Sequence, residues 1–546
     1  MKKYFPSFLF ILFSLSLRAQ EGEVLRAALY LGGAATIEEL DASLVERLEA
    51  LRGHPVRVNR PSRRARELLS GYQLASLEDY RRRCGDILSW EELALVDGFG
   101  PEAVSALKPF LSLDSEGLPG AVDTLSRQRR QLLVRVTEKN WGAKYKSVGD
   151  RYQAGAAWRS GDGTFHADVQ LGRHRLLLGD YNARFGQGAA HWSGFAMESL
   201  STPAAFIRRA TGLRPCWSFS SEGVHRGAAW EYGRGAFQGA LFADARGTLG
   251  LHAEGLSRSF QGGFTALWEQ GSPTFSLDGR SNWKGTDLAG EMAWKNGAPG
   301  GKAALSFPLE GRFRLALQAR ALPSRFTGKK YGEYALAEGT SFGSDRRVQL
   351  AGKTGFGSSV QVFTASLTAD AAFLPKPETG ERDRWQLRAW LNLNWQAGPR
   401  WGWAFRFTER FRSWEAARSD WRLDARFGTG PWQAAARGEY VYCGHPGFLS
   451  YLEGGYKGGS LAGYLRFTGF SIAHWDARIY CYERDAPGTF SVPAYNGTGA
   501  SVALTGSWKH RFPQRTTLKL YLRGACVFRS GNPPSPALRV QLQLER

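Results

Sequence analysis

An alternation of apolar and polar residues runs from about Leu132 almost to the C-terminal residue, and few folds can accommodate it over such a length. The apolar members of three clear runs are Trp385, Leu387, Ala389, Leu391, Leu393 and Trp395; Trp421, Leu423, Ala425 and Phe427; and Leu518, Leu520 and Leu522. Polar residues fill most of the positions between them. Because successive side chains of a strand point to opposite faces, a period of two predicts strands with one apolar face.

The spacing of aromatic residues favours a membrane barrel over a soluble sandwich. Trp385 and Trp395 lie on the same face of one run, and ten residues of strand extend roughly 33 Å, or about 25 Å along the axis of a tilted barrel. Soluble strands average only about five or six residues. The 66 glycines and the short polar connectors at 160–163, 397–399 and 428–430 fit hairpin turns. Residues 131–546 are therefore predicted to form an all-β transmembrane barrel of about 22 antiparallel strands, within a range of 18 to 26 and with an even number.

A barrel of that width encloses a lumen unless loops or a domain fill it. A nutrient transporter with a strand-rich plug is disfavoured, because the roughly 96 residues ahead of the barrel are too few and have a helical period.

The first twenty residues have the layout of a secretory signal peptide. Lys2 and Lys3 precede an apolar run from Phe8 to Leu17, and small or polar residues follow at Ala19 and Gln20. Residues 1–20 are predicted to be removed, which places the mature chain in the cell envelope.

Residues 21–116 are predicted to form an α-helical domain, which a linker at 117–130 joins to the barrel. Thr36 with Glu39 and Ser89 with Glu92 have the spacing of capping boxes at helix starts. The second helix ends at Asp97-Gly98-Phe99-Gly100, and Pro101 opens the next helix, Glu102–Leu107. The product is a helix, a glycine-aromatic-glycine turn and a helix.

This segment resembles a helix-hairpin-helix domain, as found in DNA-binding proteins that include secreted competence DNA receptors. The matching residues are Leu93, Val96, Gly98, Phe99, Gly100, Ala103, Val104 and Leu107, and residues 68–73 are similar to a first hairpin that lacks its second glycine. The resemblance implies that the turn approaches a phosphate and that the following helix start attracts the anion. The alternative is a helical adaptor that packs on protein.

Charge bears on the DNA hypothesis. Residues 21–116 carry 12 Lys and Arg against 17 Asp and Glu, a net charge of −5, although Arg52–Arg83 is locally basic. Because phosphate neutralisation supplies most non-specific affinity, DNA binding requires the arginines to face the hairpin. The candidate DNA- or phosphate-binding residues are Gly98, Phe99, Gly100, Lys108, Arg60, Arg63, Arg64, Arg81, Arg82 and Arg83. Of the total charge of +21, the remainder from 117 to 546 carries +23, which suits a lumen for anions or a rim that meets lipopolysaccharide.

The order of segments is similar to a family of Gram-negative outer-membrane proteins described as helix-hairpin-helix domain-containing proteins. The resemblance rests on residues 54–59, on 178–181 with 185–188, and on 475–483 with 495–499. It implies a barrel with a periplasmic N-terminal domain and no known reaction. The barrel residues singled out are Gly179, Asp180, Tyr181, Gly186, Gln187, Gly188, Trp475, Asp476, Arg478, Tyr480 and Glu483. They suit tight bends and a lumenal charge network, or a constriction that selects what passes.

No local motif for chemistry is present. The nine histidines and five cysteines lack metal-ligand spacing, and neither a nucleophile elbow nor a phosphate-binding loop occurs. We therefore predict a non-enzymatic protein of the outer membrane, without metal or cofactor, whose partners are outer-membrane lipid and lipopolysaccharide, with DNA or a periplasmic protein as a further partner. The leading hypothesis is a conduit or docking platform whose helical domain binds DNA or another anionic polymer in the periplasm. The alternative is a structural or assembly protein whose helical domain docks a protein partner.

Overall fold

The computed structural model describes residues 20–34, 36–40, 42–52, 55–60, 65–114, 128–149, 151–194, 202–234, 236–257, 260–269, 271–283, 285–309, 313–327, 345–357, 361–374, 384–489, 491–513 and 516–546. The predicted signal peptide and most of the predicted linker lie outside these ranges. Within them, none of the helices has the length and apolar character needed to cross a bilayer.

The N-terminal region is helical, as its period of three to four residues predicts. The α-helices are Gln20–Gly32, Ala42–Arg52, Ala65–Leu68, Gly71–Cys84, Trp90–Leu95 and Gly100–Leu107, with 3-10 turns at Ile37–Glu39 and Lys108–Phe110 and a two-stranded parallel sheet of β1 (Val56–Arg57) with β2 (Leu111–Ser112). Leu48, Leu51, Leu77, Leu107 and Phe110 are almost fully buried in one shared core. We call residues 20–114 the helical domain.

The two predicted capping boxes have different outcomes. The Ser89 hydroxyl accepts a hydrogen bond from the Glu92 amide at 3.0 Å and caps its helix. Thr36 caps nothing, and the helix that its pattern predicted begins instead at Ala42, after the 3-10 turn. The physical reason is that the side chains of both Thr36 and Glu39 bond to Arg406 of the barrel.

The remaining strands are β3 Arg129–Thr137, β4 Trp141–Val148, β5 Tyr152–Arg159, β6 Asp162–Leu171, β7 His174–Arg184, β8 Gly212–Pro215, β9 His225–Arg234, β10 Phe237–Asp244, β11 Leu249–Leu256, β12 Phe260–Glu269, β13 Ser272–Trp283, β14 Thr286–Lys295, β15 Ala298–Pro308, β16 Phe313–Leu322, β17 Asp345–Gly357, β18 Gln361–Leu374, β19 Arg384–Ala397, β20 Trp401–Arg412, β21 Glu415–Thr429, β22 Trp432–Tyr442, β23 Pro446–Lys457, β24 Leu461–Ile472, β25 Ile479–Tyr480, β26 Ala494–Tyr495, β27 Gly497–Arg511, β28 Thr517–Arg529 and β29 Ser535–Glu545. A short helix, Ser324–Thr327, and 3-10 turns at Pro203–Ala205 and Trp475–Ala477 lie in the connections.

These strands form a closed antiparallel barrel, in which the last strand pairs with the first. The β29–β3 ladder runs through pairs such as Gln541 with Arg135. Twenty-four of the described strands make up the wall, while β8 pairs only with the end of β7, and β25 pairs with β26 in a separate small sheet. The count is even and within the predicted range, two above the central figure of about 22. The predicted transmembrane barrel is confirmed as the fold.

The outer surface of the wall is apolar, with aromatic residues toward both ends. On β19, Trp385, Leu387 and Trp395 are all exposed, whereas Gln386 between them is fully buried on the inner face. At the end where β19 turns into β20, Trp401 lies 4.6 Å from Phe427, measured between ring centroids. An apolar band between two aromatic girdles is the outer surface of an outer-membrane barrel.

The two ends of the barrel differ in their connections. All connections at the end where β3 begins have five residues or fewer, and we call it the short-turn end. At the opposite end, residues 185–224, 323–344 and 473–496 form much longer connections. Outer-membrane barrels carry short turns on the periplasmic side and longer loops on the extracellular side.

The helical domain lies against inward-facing side chains of the wall. Glu38 and Glu39 contact arginines near the middle of β20, β21 and β22, and Glu102 pairs with Lys353 of β17. Two long connections also reach this domain: the Thr202 hydroxyl donates to the Gly33 carbonyl at 2.7 Å, and the Tyr482 amide donates to Glu38 at 3.2 Å. The lumen therefore holds a helical plug, whereas the sequence analysis considers only a strand-rich plug and disfavours it.

Candidate functional site

Glu38 is the point at which the helical domain, the wall and the inward-folded loop of connection 473–496 meet. Its carboxylate accepts hydrogen bonds from Arg437 Nη1 at 2.8 Å, from Arg422 Nη1 at 3.1 Å and from the Tyr482 amide at 3.2 Å. The Nε atoms of both arginines donate to Asp424 at 2.7 Å. Two guanidinium groups and two carboxylates thus form a buried four-membered cluster of charges, which we call the Glu38 latch.

The electrostatics of the latch keep Glu38 ionised. Burial by itself would raise the pKa of the Glu38 carboxyl, but Arg422 and Arg437 outweigh burial and hold that pKa well below its usual range. A second contact lies alongside, where Arg406 donates to Glu39 Oε1 at 2.9 Å and to the Thr36 hydroxyl at 3.1 Å. One short turn of the helical domain therefore docks on three arginines of the wall.

The other side of the helical domain is held by a half-buried arginine of connection 185–224. Arg209 donates through Nη2 to Gln73 Oε1 at 2.6 Å. Burial lowers the pKa of Arg209 to about 10, because water no longer solvates its charge. Gln73 also donates to the Gly98 carbonyl at 2.8 Å, so this contact continues into the predicted hairpin.

The segment Gly186-Gln187-Gly188 cradles a carboxylate. The amides of Gln187, Ala189 and Ala190 donate to Glu291 of β14 at 2.7, 2.9 and 2.9 Å. Gly186 has a φ of 56°, and a Cβ there would lie 2.8 Å from the Glu291 carboxylate. Consecutive amides that converge on an anion form a nest, and this one anchors connection 185–224 to the inner wall.

A chain of polar side chains continues from that nest. His191 Nε2 lies 2.8 Å from His225 Nε2, and His225 Nδ1 lies 2.7 Å from Asp244 Oδ2. On its other side His191 Nδ1 lies 3.3 Å from Glu269 Oε1, and the Oε2 atom of Glu269 pairs with Lys295 at 3.1 Å. Burial lowers the pKa of His191, although Glu269 opposes the shift. Among the described residues no group of three or more His, Cys, Asp or Glu has the arrangement of a metal site.

Gly179, Asp180 and Tyr181 form a bend in β7. β6 pairs with β7 only as far as Gly179, after which β7 pairs with β8. Asp180 is fully buried, and it accepts from the Phe165 amide at 2.7 Å and from Arg226 Nε at 2.8 Å. The Tyr181 hydroxyl donates to the Ala243 carbonyl at 2.8 Å. These contacts direct the chain from the wall into the lumen.

The five candidates of residues 475–483 separate in space. Glu483 is buried and contacts Arg523 and Tyr495. Trp475, Asp476 and Tyr480 are exposed, and the half-buried Arg478 lies over the Trp475 ring at 4.8 Å and donates to the Tyr480 hydroxyl at 3.0 Å. Only Glu483 of the three charged candidates joins a buried pair.

The predicted DNA-binding turn has the expected shape but lies close to the wall. Gly98 and Gly100 have φ values of 84° and 70°, and Phe99 is buried. Arg280 of β13 lies over Tyr72, the ring that a Cβ at Gly98 would approach to 2.9 Å, and Lys353 contacts Glu102 just beyond the turn. Barrel side chains therefore flank the hairpin on two sides.

The basic candidates of the helical domain are dispersed. Arg81, Arg82 and Arg83 pair with Asp86, Glu78 and Asp79 at 3.3, 3.4 and 2.7 Å. Lys108 lies 5.1 Å above the Trp90 ring, and Arg60 is exposed. Arg63 and Arg64 lie outside the described residues. The contacts of Arg81, Arg82, Arg83 and Lys108 lie within the helical domain and do not place these side chains around the glycine turn.

Sequence reasoning missed the residues that hold the lumen contents in place. Glu38, Arg422 and Arg437 are far apart in the chain and belong to no local motif, and Glu291 is one acidic residue of an ordinary alternating strand. A signal was present in part, since Arg422, Asp424 and Arg426 occupy the polar face of a predicted strand. That pattern indicates inward charges without indicating their partners.

No protein-family model matches the chain, and no curated protein matches it. Among solved structures, the chain is similar to OccK11 (OpdR) of Pseudomonas aeruginosa, with 10% identity over 77% of this chain and 94% of that one and a TM-score of 0.28. It is similar to the outer-membrane protein OpdK of the same organism, with 9% identity over 77% and 99% and a TM-score of 0.31. The translocation pore of the P pilus usher PapC has 9% identity over 77% and 98%, again with a TM-score of 0.31. Resemblance this distant gives no basis for transferring a solute or partner.

Proposed function

We propose that this chain is a non-enzymatic, gated conduit of the outer membrane in which the helical domain is an internal plug. The observation that carries the proposal is the Glu38 latch, which joins the plug to β21, to β22 and to the inward-folded loop through one carboxylate. The plug is held by polar contacts at the latch, at Arg406, at Lys353 and at connection 185–224, and it can leave the lumen once those contacts break. Opening the latch is the step that opens the conduit.

The architecture supports entry of the plug from the periplasm. The helical domain precedes β3, which starts at the short-turn end, and the Arg130 amide bonds to the Arg546 carbonyl there, so both ends of the barrel sequence meet at that side. Short turns mark the periplasmic side of outer-membrane barrels. We infer that the helical domain faces the periplasm and that connections 185–224 and 473–496 cover the plug from outside.

The charge of the plug supports passage of anions rather than capture of DNA by the hairpin. The helical domain is acidic, and its carboxylates already occupy lumenal arginines, so release of the plug frees Arg406, Arg422 and Arg437. Arginines 81–83 pair with carboxylates of their own domain, and barrel side chains flank the turn at 98–100. These contacts do not favour DNA binding. Membership of the helix-hairpin-helix family stays a prediction.

Planar-bilayer conductance of the full chain tests the conduit. The wild type is expected to conduct poorly, and Glu38→Gln is expected to raise the open probability because one charge of the latch is lost. The control is Glu91→Gln, since Glu91 is an exposed carboxylate of the same domain. Equal, low conductance of all three proteins would refute the gated conduit.

A docking role for the helical domain is the second candidate, and one observation favours it. Leu88 and Leu95 of this domain are 67% and 80% exposed, so two large apolar side chains are accessible to a protein partner. If a periplasmic protein covers them, Leu95→Glu will abolish its co-purification while conductance stays unchanged. Retained co-purification would exclude this surface as the docking site.

A further inference from the structure

A cavity of the lumen lies beside the plug. A space of about 1140 Å³ separates the helical domain, at Val24, Ile37 and Val45, from the inner face of the wall between β18 and β29. It opens at the short-turn end, where the turns at 398–400, 428–430 and 458–460 line it, and loop residues 482–489 close its inner end. This volume exceeds the roughly 300–1,000 Å³ of most small-molecule sites.

Basic residues dominate the lining. Its described charged residues are ten basic ones, Arg129, Arg400, Arg426, Arg437, Lys457, Arg466, Arg484, Lys509, Arg511 and Lys519, against five acidic ones, Glu49, Asp424, Glu453, Asp485 and Glu545. Most of the acidic residues have basic partners: Asp424 bonds to Arg437, Glu453 to Arg466 and Arg484, Asp485 to Arg539, and Glu545 to Lys519. With twice as many basic as acidic residues, the lining as a whole carries a net positive charge.

The excess charge concentrates at the mouth. Arg400, Arg426, Lys457, Lys509 and Arg511 lie at the short-turn ends of β20, β21, β23 and β27, and we call these five residues the basic arc. Arg400, Arg426 and Arg511 are exposed. A cleft with low-dielectric walls and charges of one sign focuses its field and raises the local concentration of ions of opposite sign.

The inner end of the cavity reaches the latch itself. Arg437 lines the cavity and donates to Glu38, and Arg466 lies 4.0 Å from the centroid of the Tyr451 ring beside it. An anion that advances from the basic arc meets the same guanidinium that holds the plug. Because binding linkage is reciprocal, an anion that competes with Glu38 for Arg437 weakens the latch, and loss of the latch strengthens anion binding.

We propose that this cavity binds a soluble oligovalent anion, with several phosphate or carboxylate groups, that enters from the short-turn end. The proposal rests on the proposed conduit function and assigns the class of its solute. Several charges are required because the basic arc spans strands β20 to β27 around the mouth, so a monovalent anion engages only part of it. Arginine and lysine bind phosphate and carboxylate oxygens through charge-assisted hydrogen bonds.

Titration of inorganic tripolyphosphate into the full-length protein in detergent, followed by calorimetry, tests the site. The cavity variant is Arg426→Gln with Arg511→Gln. The matched control is Arg151→Gln with Arg234→Gln, two exposed arginines at the short-turn end that do not line the cavity. Wild type and control are expected to bind tripolyphosphate more tightly than orthophosphate and more weakly as salt rises, and the cavity variant to bind about tenfold more weakly.

Two results would overturn the site: wild-type protein that does not bind tripolyphosphate, or equal losses in the cavity variant and the control. Glu38→Gln separates the site from the conduit. If tripolyphosphate binds as expected while Glu38→Gln leaves conductance unchanged, the site stands and the conduit fails. If Glu38→Gln raises conductance while no tripolyphosphate binds, the conduit stands and the assignment of its solute fails.

Discussion

Arg437 donates to the Glu38 carboxylate at 2.8 Å, although 399 residues separate the two in the chain. Asp424 and Arg422 complete the cluster, so neither charge of the pair is buried alone. A buried ion pair becomes costly chiefly when one partner is removed, because the other stays without compensation. The strength of the contact is therefore best measured by removing each partner and then both.

The Glu38–Arg437 pair is expected to show strong coupling in a double-mutant cycle. Glu38→Gln or Arg437→Gln alone should weaken docking of the helical domain by about 3–5 kcal/mol, and the double variant should lose clearly less than the sum. The measurement is the hydrogen-exchange rate of the Tyr482 amide, which is protected while it donates to residue 38, converted to a free energy of release. Strict additivity of the two losses would show that the two side chains do not interact.

Gly186→Ala should release connection 185–224 from the wall. The added methyl would lie 2.8 Å from the Glu291 carboxylate at a backbone φ of 56°, which costs about 1–3 kcal/mol in strain before any loss of the nest. Gly430→Ala is the matched control, because Gly430 has a φ of 57° and nothing lies within 4 Å of the position that a Cβ would take there. Hydrogen exchange of the Gln187, Ala189 and Ala190 amides should rise in the first variant only, and equal rises in both would contradict the nest.

Acid is expected to loosen the same connection at His191. Burial lowers the pKa of His191 in the folded protein below the roughly 6.5 of a free imidazole, so the released loop binds the proton more readily than the packed loop. Stability is thus fully retained above a pH of about 6.5 and is lost as pH falls from there through the lowered pKa of folded His191. The charged groups that face the His191–His225 pair are Asp244, Glu269 and Lys295.

Limited proteolysis of residues 185–224 between pH 7.5 and pH 5.5 measures this effect. Cleavage should accelerate toward pH 5.5 in the wild type, because the free energy that keeps the connection packed falls by up to about 1.4 kcal/mol for each pH unit below about 6.5. His191→Phe keeps an apolar ring near Phe242 and removes the titrating group, so its pH dependence should flatten. An unchanged profile in that variant would assign the effect to another group.

Asp180→Leu should destabilise the barrel where β7 leaves the wall. The Phe165 amide would lose its 2.7 Å acceptor, and an unsatisfied buried amide costs about 1–3 kcal/mol. Asp476→Leu is a suitable comparison at an exposed position of the 3-10 turn Trp475–Ala477. The temperature of the heat-dependent gel shift should fall further for the first variant, and an equal fall would indicate a general effect of the substitution.

The barrel was predictable because its cause is local and repeated. Each strand carries its own alternation, so Trp385, Leu387 and Trp395 identify a wall without knowledge of any neighbour. The plug was not predictable in the same way, because Glu38 and Arg437 come together only through the closed topology. Thr36 and Glu39 show the limit directly, since their spacing matches a capping box while their side chains bind Arg406.

The positions of the latch residues in the sequence also determine when the latch can form during synthesis and folding. Glu38 is synthesised before any strand of the wall, whereas its partners Arg422, Arg437 and Tyr482 come from the last quarter of the chain. Glu38 therefore cannot form these contacts until the late strands have been synthesised and lie beside it. The Glu38 latch is therefore one of the last contacts that can form, and a chain that stalls before β21 lacks both arginines that bind Glu38.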